Sequence, residues 1–164
     1  MSDHKLTFRQ LVDSTDPAFE PVVCWQHGWW GEEFGMSREQ VTLYMAHSIC
    51  PDRVPYTFLA YLGETLVGFY QVIPNDLFTR PDLTPWFGFA FIAPEYRGCG
   101  YFRQLMAAVP GHARQFGLRQ LYLHSRHQGL YEKFGWTFLE ESTEYKSDGI
   151  LRRLYTLKID EDVV

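Results

Sequence analysis

Between residues 85 and 109 the chain changes its apolar period, and that change limits what it can fold into. "PWFGFAFIA" is an almost unbroken apolar run and reads as a buried strand. After "PEYRGCG", Phe102, Leu105, Met106 and Val109 recur at i, i+3, i+4 and i+7, the buried face of a helix. A strand therefore turns into a helix across Arg97, Gly98 and Gly100. The first N–H groups of a helix lack intrahelical partners, and that end of the dipole is positive. Glycines let the backbone approach a ligand closely, so such a turn suits an anion, and Arg97 adds a charge that suits phosphate. The bland reading is a surface arginine beside a glycine helix cap. No Gly-Lys-Ser/Thr follows, and position 103 is Arg where a dinucleotide fingerprint needs Gly. A phosphate held here belongs to some other cofactor.

The rest of the chain surrounds this unit with hairpins. "KLTFRQLV" reads as a strand, and Asp16-Pro17 opens a helical region through "AFEPVVCWQHGWWG". Ser37 and Gln40 form a capping box for "REQVTLYMAHSI", which Pro51 and Pro55 close off. "YTFLAYL" and "TLVGFYQVI" make an antiparallel hairpin across Gly63-Glu64. Beyond the central helix, where Pro110-Gly111 predicts a kink or break, come a strand "QLYLHS" and a short helix "GLYEKFG". A last hairpin turns around Ser147, Asp148 and Gly149. The order is mixed α/β, with too many hairpins for a doubly wound parallel sheet. At 164 residues without a linker or repeat, one domain over 1–164 is expected. A net charge of −5 argues against nucleic acid, and no apolar run approaches a membrane span. Cys24, Cys50 and Cys99 lack CxxC spacing and read as reduced thiols of a cytoplasmic protein.

"FAFIAPEYRGCGYFRQLM" resembles the acyl-CoA-binding motif of the GNAT superfamily of N-acyltransferases, Arg/Gln-x-x-Gly-x-Gly/Ala after a strand and opening a helix. "LYEKFGW" at 130–136 resembles the superfamily's second signature, LYxKxGF, in the right order and one strand further on. "WWGEEFGMS" is similar to a bacterial subgroup of uncertain substrate. The resemblance implies a mostly antiparallel sheet of six to seven strands, splayed between strands 4 and 5 and flanked by about four helices. It implies acetyl-CoA as cofactor, its pyrophosphate on the backbone of Gly98, Cys99, Gly100, Tyr101, Phe102 and Arg103 beside Arg97, and its pantetheine arm along Phe91 and Ile92. Phe102 replaces the pattern's last Gly/Ala and is expected to turn into the core. The loop before "LYEKFGW" lacks the superfamily's frequent Asn.

The implied function is acetyl transfer to a primary amine by direct attack, with a non-catalytic acyl-CoA-binding module or sensor as the alternative. A lysine-like amine is neutral in only about one molecule in 2,500 at pH 7, so a base helps. The departing thiolate needs a proton, and Tyr131 matches the superfamily's acid position. Glu32 and Glu33 read as a solvated face, yet one of them suits the attraction of a cationic amine and either suits a base, Glu33 being the catalytic candidate. Trp29 and Trp30, among glycines, suit either a core or a substrate wall. Asp76 suits a turn or a substrate amine. His124 and His127 flank the end of the fifth strand. No His/Cys spacing points to a metal. A thiol at a helix N-terminus favours its thiolate, so Cys99 is expected to react before Cys24 and Cys50, which lie in apolar helical patterns. The expected partner is a small amine or a peptide N-terminus, with no nucleic acid and no membrane; homodimerisation is left open.

Overall fold

The computed structural model describes residues 4–142 and 150–161. The elements run β1 (Leu6–Leu11), α1 (Phe19–Gln26), α2 (Arg38–Ala46), β2 (Tyr56–Leu62), β3 (Thr65–Ile73), β4 (Trp86–Ile92), α3 (Tyr101–Gln115), β5 (Gln120–Ser125), β6 (Thr137–Ser142) and β7 (Arg152–Lys158). The seven strands lie in the order β1-β2-β3-β4-β5-β7-β6. The pairs β1–β2, β2–β3, β5–β7 and β6–β7 are antiparallel; β4–β5 is parallel, with Trp86 opposite Tyr122. This is the mixed α/β fold the hairpin-rich order implied. The helix count is lower than expected. Among the described residues three α-helices form, and "GLYEKFG" closes only as a 3-10 turn over Tyr131–Phe134, ended by left-handed Gly135. The turn expected at Ser147, Asp148 and Gly149 lies outside the described residues.

By internal packing the chain forms two units. The first comprises Met1–Val72 with Phe89–Leu105. Its core joins Phe19, Val22 and Val23 of α1 and Val41 and Met45 of α2 to Leu59, Phe69 and Phe91 of the strands. Local rules set these elements as the sequence indicated. The Asp16 carboxylate accepts the Ala18 N–H at 2.9 Å at the entry to α1. The capping box is complete: Ser37 Oγ accepts the Gln40 N–H at 3.1 Å, and Gln40 Oε1 accepts the Ser37 N–H at 2.8 Å. One feature was not foreseen. The helical region does not stay α-helical after Gln26; His27–Gly31 is a π turn, with the Glu32 N–H donating to His27 O at 3.0 Å.

The second unit comprises Ile73–Gly88 with Met106–Val164. Trp86, Phe87, Leu121, Leu123, Trp136 and Leu154 are buried in it. Two expectations about α3 need correction. The helix runs through Pro110 to Gln115 without a break. An interior proline costs ~3 kcal/mol, and Val109 and Ala113, buried on either side of it, hold the helix in place. At its first turn it is Tyr101 that is fully buried, while Phe102 stays half-exposed. The buried stripe thus starts one residue earlier, at Tyr101, and continues through Leu105, Val109 and Ala113 in steps of four.

Candidate active site

In the first unit β4 ends at Ile92, and a 3-10 turn at Pro94–Tyr96 leads into Arg97. Gly98 sits at φ +77° and Gly100 at φ +83°, a region L side chains adopt only with strain. A Cβ placed on either glycine would meet nothing within 4 Å. The glycines are needed for backbone shape, and the space in front of both is open. Cys99 and Arg103 are exposed around them. The Cys99 thiol lies 3.6 Å from Arg97 O, its weak acceptor. Arg97 is exposed but anchored: its Nε donates to Ile92 O at 2.7 Å, and its guanidinium lies over the Trp29 ring at 4.6 Å and the Phe91 ring at 5.2 Å. That cation-π seat holds the charge beside the glycine turn. The residues present therefore fit a phosphate-bearing group: an open left-handed backbone, a helix N-terminus and a positioned guanidinium.

Phe91 and Ile92 are both buried at the end of β4. A Cβ on Gly68 of β3 would lie 2.3 Å from Phe91 O, so only glycine lets the two backbones approach this closely. Two residues earlier Phe89 stands at φ +52°, a strained position for an aromatic residue. No local sequence signal marks it. The π turn carries two adjacent tryptophans, Trp29 and Trp30, whose rings meet edge-on at 6.0 Å. Trp29 is half-exposed, edge-on to Phe91 at 5.6 Å. Trp30 packs edge-on to Phe89 at 5.0 Å and lines a small apolar pocket with Gln26, Phe34, Met36, Val41 and Tyr44. Glu32 and Glu33 follow the π turn and are exposed.

The second unit holds the other candidates. Tyr131 starts the 3-10 turn, its ring tilted against Tyr155 at 5.7 Å and edge-on to Trp136 at 6.5 Å. Burial pushes its hydroxyl above the usual tyrosine range, partly offset by a hydrogen bond with Ser125. The phenol thus keeps its proton across the physiological range, as a proton donor must. Tyr155, below it, donates to His127 O at 3.2 Å. Asp76, whose sequence context suits a turn or a substrate amine, has its Oδ2 2.9 Å from His124 Nε2, with both side chains largely buried. A Cβ on Gly88 would meet the same Oδ2 at 3.5 Å, an ordinary contact. Ser125 and the Asp76–His124 pair escaped sequence reasoning because tertiary packing, not local spacing, makes them. Along β5 side chains alternate, so His124 and Ser125 face opposite sides of the sheet.

Comparison with known proteins decides the family. Residues 19–136 match the family model of the acetyltransferase (GNAT) family. The chain belongs to the GNAT family. Its fold is shared with aminoglycoside 6'-acetyltransferase type Ii, at TM-score 0.71 and 15% identity over 94% of this chain and 98% of that one. It is shared with RimL, a ribosomal L7/L12 alpha-N-protein acetyltransferase in complex with coenzyme A, at TM-score 0.70 and 16% identity over 96% of each chain. A GNAT acetyltransferase from Elizabethkingia anophelis with acetyl-CoA bound aligns at TM-score 0.64 and 17% identity over 94% of this chain and 98% of that one. By sequence, no curated protein matches the chain. Acetyl-CoA is the family's cosubstrate, and acetyl transfer, not passive acyl-CoA binding, is the activity the family assignment gives this GNAT chain. Among the described residues of this GNAT protein, no helix is long and apolar enough to cross a membrane.

Proposed function

We propose that the chain acetylates a primary amine, with the turn at Arg97–Arg103 holding the pyrophosphate of acetyl-CoA. The observation that carries this placement is the pair Gly98 and Gly100, both at positive φ, both facing open space, at the start of a 15-residue helix. Backbone N–H groups from Gly98, Cys99, Gly100, Tyr101, Phe102 and Arg103 receive the phosphates, and Arg97 supplies the neutralising charge. The backbone of Phe91 and Ile92 takes the pantetheine amides as an added strand would be taken. Acetyl-CoA supplies the activated acyl group as a thioester.

Tyr131 protonates the departing thiolate. A thiolate of pKa near 8.5 is a weaker base than tyrosinate, so the transfer is uphill in water by about 2 kcal/mol or more. Burial raises the thiolate's basicity by the same desolvation that raises the phenol, which narrows the gap. Glu33 and the Asp76–His124 pair are the candidates for relieving the amine of its proton. Trp29 and Trp30 form walls on the acceptor side. Two of the structural neighbours act on aminoglycosides and on a protein N-terminus, and both acceptors offer a primary amine. Free Cys24, Cys50 and Cys99 fit the reducing cytoplasm, where we place the reaction.

The test is release of free thiol from acetyl-CoA with a panel of primary amines, the product confirmed by a mass increase of one acetyl group. Turnover that disappears when the amine is blocked is expected. Thiol release that ignores the amine, or none with any amine while CoA binds, would contradict the reading.

A further inference from the structure

Gln26 ends the buried stripe of α1 and is 3% exposed. Its Nε2 donates to Gln71 Oε1 at 3.3 Å. Gln71 Nε2 donates to Thr57 Oγ1 at 2.9 Å, and Thr57 Oγ1 donates to Ser48 O at 2.8 Å. A backbone carbonyl can only accept, so Ser48 sets the direction of the whole chain of hydrogen bonds. Turning the Gln26 amide over would put two carbonyl oxygens face to face. Gln26 Oε1 must therefore point away from Gln71, and there it is buried with no hydrogen-bond partner. Buried acceptors are almost always satisfied, so this one calls for an explanation.

The same residue lines the pocket beside the π turn, with Trp30, Phe34, Met36, Tyr44 and Phe89 among its walls. The pocket is small and open at its mouth, and no charged side chain lines it. Water needs two to four polar partners to be well held, and walls this apolar hold it poorly. Phe89 occupies its strained φ of +52° while packed on Trp30 at 5.0 Å and on Tyr44 at 5.9 Å. Such strain persists where a site is shaped for a ligand.

We infer that this pocket seats the body of the acceptor, an amine whose far end is an aromatic or compact apolar group bearing one hydrogen-bond donor for Gln26 Oε1. The inference rests on the N-acetyltransferase reading and names its substrate class. Aromatic walls favour a flat apolar body. A hydrophilic polyamine would leave several polar groups unpaired there, which a site of this kind rejects.

Tyramine and phenethylamine, which differ by one hydroxyl, test the assignment, with spermidine as the hydrophilic probe. The wild-type chain should favour tyramine over phenethylamine by about 10-fold in kcat/KM, the worth of one buried hydrogen bond, and both over spermidine. In Gln26→Leu the tyramine preference should fall to about one. That change moves the unpaired acceptor to Gln71, so stability should hardly change. Should it fail to fold, Phe34→Ala, at the pocket wall, should raise KM for both aromatic amines. Tyramine binding to the CoA-loaded protein, read by tryptophan fluorescence, and CoA binding, read by calorimetry, separate the two levels. A wild-type ratio near one, an unchanged ratio in Gln26→Leu, or no tyramine binding while CoA binds would overturn the pocket assignment alone. Absence of CoA binding would overturn the acetyltransferase reading beneath it.

Discussion

Replacing Gly68 with alanine perturbs the fold at the strand end proposed to receive pantetheine. The added Cβ would sit 2.3 Å from Phe91 O and 2.9 Å from Ile92 Cδ1. The carbonyl belongs to a paired strand: the Ala93 N–H donates to Val67 O at 2.8 Å just beyond it. A side chain could rotate away, but this backbone oxygen can be relieved only by moving the strand. Overpacking costs typically 1–3 kcal/mol, and a backbone clash of this depth belongs at the upper end, about 3 kcal/mol. For a chain of this size that is a fall in Tm of roughly 6–12 °C. Gly88→Ala is the matched control, since its Cβ would meet Asp76 Oδ2 at 3.5 Å, ordinary contact. Thermal unfolding of both variants, followed by CoA titration of Gly68→Ala below its Tm, gives the reading. Gly68→Ala should be much less stable than Gly88→Ala and should bind CoA more weakly. Equal stability of Gly68→Ala and the wild-type chain, or a larger loss in Gly88→Ala, would refute the reasoning.

Three further outcomes are expected. Tyr131→Phe should lower kcat by about 10²- to 10⁴-fold with CoA affinity unchanged, and because burial raises the Tyr131 hydroxyl, the wild-type rate should hold to above pH 10; an unchanged kcat, with chemistry rate-limiting, reduces Tyr131 to packing. Burial holds the His112 imidazole down to about 4, so the unfolded chain binds the extra proton between about pH 6.5 and 4 and stability falls as pH drops through that window; a half-buried group warrants a loss of about 1–2 kcal/mol, and His112→Gln should flatten the urea-unfolding profile there. Brief alkylation with peptide mapping should modify both Cys99 and Cys24 and show CoA protecting Cys99 alone, since the structure corrects the expectation that Cys24 is sheltered: it is exposed beside Arg38.

Much of the fold was legible because local rules set it. Ser37 and Gln40 announce the start of α2, Gly63 the β2–β3 turn, and the period change at Arg97–Gly100 the strand-to-helix turn. The glycine turn of the candidate site was readable for the same reason: two glycines and an arginine in one hexapeptide need no tertiary context. What escaped was set by contacts distant in sequence. Phe89 takes a positive φ that no propensity announces. Asp76 meets His124 across 48 positions. The π turn at His27–Gly31 hides in a pattern that reads equally well as α-helix, and its Gly31 is hemmed in by His27 within the turn and by Val41 of α2, whose Cδ2 and Cγ2 would lie 2.9 Å and 3.0 Å from a Cβ there. Gln26 alone left a trace, a polar residue on the stripe of Phe19, Val22 and Val23.

Titration of CoA into the chain by calorimetry, in parallel with Gly100→Val, bears most directly on the central claim that the left-handed glycine turn holds the cofactor's pyrophosphate. Space at Gly100 is open, so the variant's far-UV spectrum should match that of the wild-type chain, while its backbone can no longer rest at φ +83° without strain. The account predicts saturable CoA binding by the wild-type chain, a stabilisation of about 2.7 kcal/mol at 100 times its Kd, and loss of binding in the folded variant. No heat at millimolar CoA, or unchanged affinity in Gly100→Val, would contradict it.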